Sequence, residues 1–173
     1  MLLRLAGIVN ESVVDGPGIR MVVFVQGCPH NCFGCHNPNS HDPAGGYESS
    51  TKDIVAALPD GKLVSGLTFS GGEPFTQAKA LVIVAAAAKK KGLSIVTYTG
   101  FIFETILEMG AKNPDVLKLL QFTDILVDGP FEHERRNLEL AFRGSDNQRL
   151  IDVAASLRQG SVVEWQDPVW RYT

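Results

Sequence analysis

All three cysteines of the chain, Cys28, Cys32 and Cys35, fall within one short stretch, Gly27-Cys28-Pro29-His30-Asn31-Cys32-Phe33-Gly34-Cys35-His36-Asn37-Pro38. Soft thiolates at fixed, close spacing on a glycine- and proline-containing loop can converge on one soft metal centre, because turn residues let the backbone curl round it. Structural zinc sites and iron-sulfur clusters both ordinarily take four protein ligands, so three thiols leave a nitrogen ligand or a vacancy. One reading is zinc, with His30, His36 or His41 as the fourth ligand. Zinc knots, however, pair one C-x2-C with a distant second pair, and here all the thiols are together. A second is c-type haem, because Cys32-Phe33-Gly34-Cys35-His36 matches C-x-x-C-H. That reading leaves Cys28 idle and needs an exported chain, whereas the start Met1-Leu2-Leu3-Arg4-Leu5 lacks the long apolar stretch of a secretion signal.

A second stretch with chemical potential is Ser70-Gly71-Gly72-Glu73-Pro74, directly after an apolar run. Glycines there let backbone approach a ligand closely, and Glu73 can accept a hydrogen bond from a ligand ammonium. The plain structural alternative is a strand-to-helix turn with Thr76 capping the helix that follows.

The spacing C-x3-C-x2-C closely resembles the motif of the radical S-adenosylmethionine (SAM) superfamily, and Gly71-Gly72-Glu73-Pro74 resembles the G-G-E-P motif of the same families. The resemblance implies a 4Fe-4S cluster on Cys28, Cys32 and Cys35, with the fourth iron left for the amino and carboxylate groups of SAM. It also implies that Gly71, Gly72 and Glu73 hold the SAM amino group. Many members carry an aromatic residue immediately before the third cysteine. Here that place is Gly34, which leaves the residue that packs on adenine unassigned.

Elements must carry these two turns to one place. With 173 residues, 45% hydrophobic and 20% charged, the chain fits a single domain spanning residues 1–173, with a core of about 14–152 and a tail at 161–173. The net charge of −3 offers no general attraction to nucleic acid or an anionic membrane, and no apolar run approaches a membrane span, so neither is expected as a partner. Clustered cysteines in odd number point to a reducing compartment and a cytoplasmic location.

Asp15-Gly16-Pro17-Gly18 reads as a turn, and Met21-Val22-Val23-Phe24-Val25 as a strand buried on both faces that runs straight into the cysteine loop. Residues 39–50 read as a connection. Ser50 and Asp53 have capping-box spacing for a helix through Ile54, Val55 and Leu58. A strand over 63–69 leads into the Gly71 turn, and an alanine-rich helix over 76–91, with Leu81 and Val84 inward, ends at three lysines placed to complement its dipole, then Gly92. Strand 93–97, a helix through Phe103, Ile106 and Leu107, a second helix from Pro114 with Val116, Leu119 and Leu120 inward, and strand 125–127 complete the pattern. Alternating strands and helices predict parallel βα units in an α/β fold. Four or five units are too few for a closed barrel of eight, so the expectation is an open, partial barrel of parallel strands of the radical SAM type. Its open flank would admit a loop of another protein.

Val14-Asp15-Gly16-Pro17-Gly18-Ile19-Arg20 resembles the lead-in of the glycyl-radical-enzyme activases within the superfamily. Residues 126–131 and 142–149 resemble segments of the branch acting on anaerobic ribonucleotide reductase. The resemblance implies that Tyr98-Thr99-Gly100 and Asp128 meet the SAM ribose, that Arg143 pairs with its carboxylate, and that Asn147 orients Arg143. It further implies a flavodoxin-like electron donor and a glycyl radical enzyme as partner: one electron passes through the cluster to SAM, and the resulting deoxyadenosyl radical takes a hydrogen from a partner glycine. Alternatives are a formate-lyase-type activase, a small-molecule radical SAM enzyme and, remotely, a zinc-binding module. The stretch 132–136 reads as a solvated helix start or a docking surface. Trp165 and Trp170 in the tail read as covers for an end of the core.

Overall fold

Four short apolar runs lie side by side as parallel strands, each ending in a turn at the same rim: β2 (Arg20–Val25), β4 (Gly66–Gly71), β5 (Ser94–Tyr98) and β6 (Ile125–Asp128). The computed structural model describes residues 1–166. Three further strands pair antiparallel at the flanks: β1 (Leu2–Ser12) on β2, β3 (Tyr47–Ser50) on β1, and β7 (Arg149–Asp152) on β6. The order β3-β1-β2-β4-β5-β6-β7 is linear, and among the described residues β3 and β7 do not pair with each other, so the sheet is open there.

Helices α1 (Thr51–Ala57), α2 (Ala78–Lys90), α3 (Phe103–Lys112) and α4 (Pro114–Phe122) supply the crossovers that parallel pairing requires. Strand side chains alternate between faces, so one rung of the register, Val23, Phe69, Thr97, Leu126 and Ile151, shares a face. Its four apolar members are fully buried in the core that also contains Leu81, Val84, Ile106, Leu119 and Leu120. Thr97 is fully buried as well and bonds Thr123 at 2.8 Å. The next rung, Val22, Thr68, Val96 and Ile125, belongs to the opposite face. There Arg20, with no exposed surface, threads between strands. It donates to the Thr68 hydroxyl, the carbonyls of Pro17, Leu67 and Ser94, and the Ser94 hydroxyl.

Several elements differ from their sequence expectation. The connection 39–50 contains β3, a half-exposed edge strand whose polar Tyr-Glu-Ser-Ser sequence lacks the apolar signature. The strand expected from 63 begins at Gly66, and Leu63 is exposed. Leu107 lies on α3 as expected but is exposed. Thr76 does not cap α2: its hydroxyl donates to the Glu73 carbonyl within a 3-10 turn, Pro74–Gln77. Lys89, expected to be solvated, pairs with Asp124, which also accepts from the Ile95 backbone N–H. Ser50 does cap α1, accepting from the Asp53 N–H at 3.1 Å. Trp165 packs on Val96, Ile125 and Val127, whereas Asp167, Pro168 and Trp170 lie outside the described residues. Among the described residues no helix is long and apolar enough to cross a membrane.

Candidate metal and cofactor site

The cysteine loop leaves β2 at Val25 and is pinned at its root by backbone. Gly27 N–H donates to the Ser40 carbonyl at 2.8 Å and Cys28 N–H to the His41 carbonyl at 3.1 Å. Asn31 and Gly34 adopt positive φ (52° and 73°), which curls the segment between the sulfurs back on itself. The three thiols are free and half-buried. Cys35 Sγ accepts the Asn37 N–H at 3.4 Å. Burial pushes the Cys28 thiol up, so its thiolate is favoured when positive charge sits beside it.

The glycine turn closes against the root of this loop. Gly72 N–H donates to the Val25 carbonyl at 2.7 Å, and Glu73 N–H to the Gly27 carbonyl at 2.8 Å. A Cβ on Gly72 would sit 2.3 Å from the Gly27 oxygen. That glycine is therefore required by the approach of two chain segments, independently of any ligand.

Glu73 departs most from expectation. Fully buried, it accepts from the Phe75 N–H (3.0 Å), the Thr99 hydroxyl (2.9 and 3.0 Å), the Gly100 N–H (3.0 Å) and His30 Nε2 (2.8 Å). Both oxygens are engaged by the chain itself, so the side chain acts as a junction inside the wall rather than as a free acceptor for an ammonium.

Around this junction lies a cavity of about 330 Å³ whose walls include Cys28, Cys32, Cys35, Gly71, Gly72 and Thr99, with Tyr98, Phe131 and Gln148 beyond them. A zinc ion draws thiolates to about 2.3 Å from a single centre. Among the described residues no group of three or more His, Cys, Asp or Glu side chains is gathered to hold one ion. Three sulfurs on the wall of a shared cavity, with room beyond them and no fourth cysteine in the chain, fit a larger cluster with one corner open to a small-molecule ligand. Of the histidines weighed as zinc ligands, His30 is bonded to Glu73, His41 meets the Asn31 amide oxygen at 3.1 Å, and His36 is exposed beside Phe131.

The remaining expected residues stand outside this wall. Asp128 is fully buried and held by Arg149 and the Phe103 N–H, which give Oδ2 two donors and Oδ1 one. Arg143 donates to the Gln148 carbonyl at 3.1 Å, and Asn147 to the Pro130 carbonyl at 2.8 Å. Both tie the 129–148 loop together, and Arg143 faces a neighbouring groove with Val14, Tyr98 and Phe142. Sequence reasoning considered His30 only as a zinc ligand, although its place between two cysteines marked it as part of the loop. It missed Arg149, which stands at the start of β7, an antiparallel strand that no βα pattern announces.

An open, parallel-centred α/β sheet presenting three sulfur donors and a glycine turn at the carboxyl ends of its strands defines an iron-sulfur protein of the radical SAM type. The chain belongs to the 4Fe-4S single cluster domain family, whose model matches residues 14–151, and within it to the activating proteins. It is 32% identical over 143 residues to the anaerobic ribonucleoside-triphosphate reductase-activating protein of Enterobacteria phage T4, covering 79% of this chain and 86% of that one. Its identity to the protein of the same name from Vibrio cholerae serotype O1 is 35% over 145 residues, covering 79% and 90%. The pyruvate formate-lyase-activating enzyme of Clostridium pasteurianum is 39% identical over 95 residues, which is 52% of this chain and 40% of that one.

Proposed function

We propose that this chain activates anaerobic ribonucleoside-triphosphate reductase, generating a glycyl radical on it by reductive cleavage of SAM. The observation that carries this reading is the single cavity onto which Cys28, Cys32, Cys35 and the Gly71-Gly72 turn all open, at the rim of an unclosed sheet. Cys28, Cys32 and Cys35 hold the 4Fe-4S cluster, with the Asn37 N–H bonded to Cys35 Sγ. Gly71, Gly72 and Thr99 line the same cavity and would form the wall that holds SAM. Glu73 and Asp128 fix that wall from behind. Arg143 and Asn147, whose Nε and Oδ1 are buried without a partner, are the residues left for the SAM carboxylate, Arg143 to meet it and Asn147 to orient Arg143. When bound, cluster and SAM together supply the one-electron chemistry that removes a hydrogen atom from a glycine of the partner. The chain's own residues orient the two, restrict water on the buried side and leave the outer side accessible. Residues 14–152 form the working core of a single domain. The protein acts in the cytoplasm with a flavodoxin-like donor, without nucleic acid or membrane.

A formate-lyase-type partner is the second reading, favoured by the 39% identity over 95 residues to a pyruvate formate-lyase-activating enzyme. Reconstituted, reduced protein is mixed anaerobically with SAM and either the ribonucleotide reductase or the formate lyase, and electron paramagnetic resonance is recorded. A glycyl doublet with the reductase alone is expected. A doublet with the lyase alone would transfer the assignment, and none with either would remove it.

A further inference from the structure

Resting on the reading of the site just given, we infer that His30 is a positioning residue whose bond to Glu73 sets the cysteine loop, and with it the cluster, at the correct separation from the SAM wall. Between Cys28 and Cys35 the chain has no helix or strand. Among the described residues, His30 is the one side chain of that segment hydrogen-bonded to the strand ends of the sheet: its Nε2 donates to Glu73 at 2.8 Å. Glu73 is held in turn by the Phe75 and Gly100 backbone N–H groups and the Thr99 hydroxyl. The imidazole is therefore bolted to β4 and β5 together.

Packing fixes the same ring from two further sides. Its edge stands against Phe101, centroids 4.4 Å apart at 73°. Its face fills the space over Gly100, where a Cβ would fall 2.4 Å from His30 Cδ2. Gly100 has no positive φ that would demand glycine, so the missing side chain at this position makes room for the imidazole. A hydrogen bond and a steric slot supplied by different elements thus converge on one side chain of an otherwise irregular loop. The cysteines are held by the loop, the loop by His30, and the SAM wall by the same Glu73. A shift of the ring changes the distance between the two ligand-holding walls while leaving every ligand in place. Partners one step behind a metal ligand change metal affinity or activity by about ten- to a hundredfold, and an effect of that order is expected here on SAM, which the loop and the wall hold between them.

The test uses the full chain, reconstituted anaerobically, in four forms: wild type, His30→Ala, His30→Gln and Gly100→Ala. Iron content, SAM affinity by equilibrium dialysis and the change in the reduced cluster's paramagnetic spectrum on adding SAM are measured. All four are expected to retain full iron. His30→Ala and Gly100→Ala should bind SAM about ten- to a hundredfold more weakly with a diminished spectral change, and His30→Gln, whose amide can donate to the same carboxylate, should recover most of both. Wild-type affinity in His30→Ala overturns the inference, as does iron loss in His30→Ala that His30→Gln does not repair. Failure of the wild type itself to hold iron or bind SAM would instead overturn the reading of the site, and this inference with it.

Discussion

Arg149 holds Asp128 through two nitrogens, with Nε 2.9 Å from Oδ1 and Nη2 on Oδ2, while the Phe103 N–H donates to Oδ2 at 2.8 Å. The carboxylate is 1% exposed, so this pair joins the end of β6 to the start of β7 and to the first turn of α3. Glu104 takes the outer side of the same guanidinium at 2.8 Å. That bond holds the Glu104 carboxyl below its ordinary value, and the two carboxylates hold Arg149 above its own. Removing Arg149 strands a buried charge. Arg149→Ala is expected to lose about 2–4 kcal/mol in urea unfolding while still taking up iron in the cold. An unchanged midpoint would contradict the structural role assigned to the pair.

Each of Cys28→Ala, Cys32→Ala and Cys35→Ala should fold, because the thiols are half-buried on a loop outside the hydrophobic core. Each should lose the brown colour and SAM-dependent activation, since a cluster held by two thiolates lacks a needed ligand. Circular dichroism and iron analysis separate the two effects.

Gly72→Ala brings a methyl to 2.3 Å from the Gly27 carbonyl oxygen, and both neighbours are backbone held by the Glu73–Gly27 and Gly72–Val25 bonds. The turn must separate from the loop root. Expected are a stability loss of about 1–3 kcal/mol and weakened SAM binding, read by thermal unfolding and dialysis.

Arg20 is buried among neutral oxygens, and burial pushes its guanidinium down to about 10. Its fork holds the Pro17 carbonyl, the Thr68 hydroxyl and β5. Thr68 in turn donates to the Asp15 carbonyl at 2.8 Å, so Arg20 helps to hold the turn bordering the cavity. A lysine keeps the charge but offers a single point of attachment. Arg20→Lys should cost about 2–4 kcal/mol in chemical unfolding. A loss below experimental error would show that the fork is dispensable.

Tyr98 is a largely buried phenol whose ionisation is pushed up, first by burial and then by the Asp15 carboxylate. Below the ordinary tyrosine value of about 10 it is protonated folded and unfolded, and its contribution is complete. Above that pH only the unfolded chain gains by ionising, so stability falls as pH rises towards the folded value. Compared with Tyr98→Phe, the wild type should lose stability between about pH 10 and 11, followed by urea midpoints across that range. Parallel curves for the two proteins would remove Tyr98 as the cause.

Local chemistry made much of this protein legible from its residues. Cysteine spacing marks the metal loop, the apolar run Met21–Val25 marks a strand feeding it, Ser50 and Asp53 mark the start of α1, and Gly71-Gly72 marks a close approach. Each is a feature of neighbouring residues, and short-range geometry suffices to read it. The antiparallel strands β3 and β7 escaped, because their polar or short sequences take their form from a partner strand distant in sequence. Only the folded chain decided what the buried carboxylates face. Glu73 and Asp128 both stand where a ligand contact was expected, yet His30 comes to the first across 43 residues and Arg149 to the second across 21. A buried charge must find donors wherever the sheet brings them, and that choice depends on the register between strands, which no local spacing encodes.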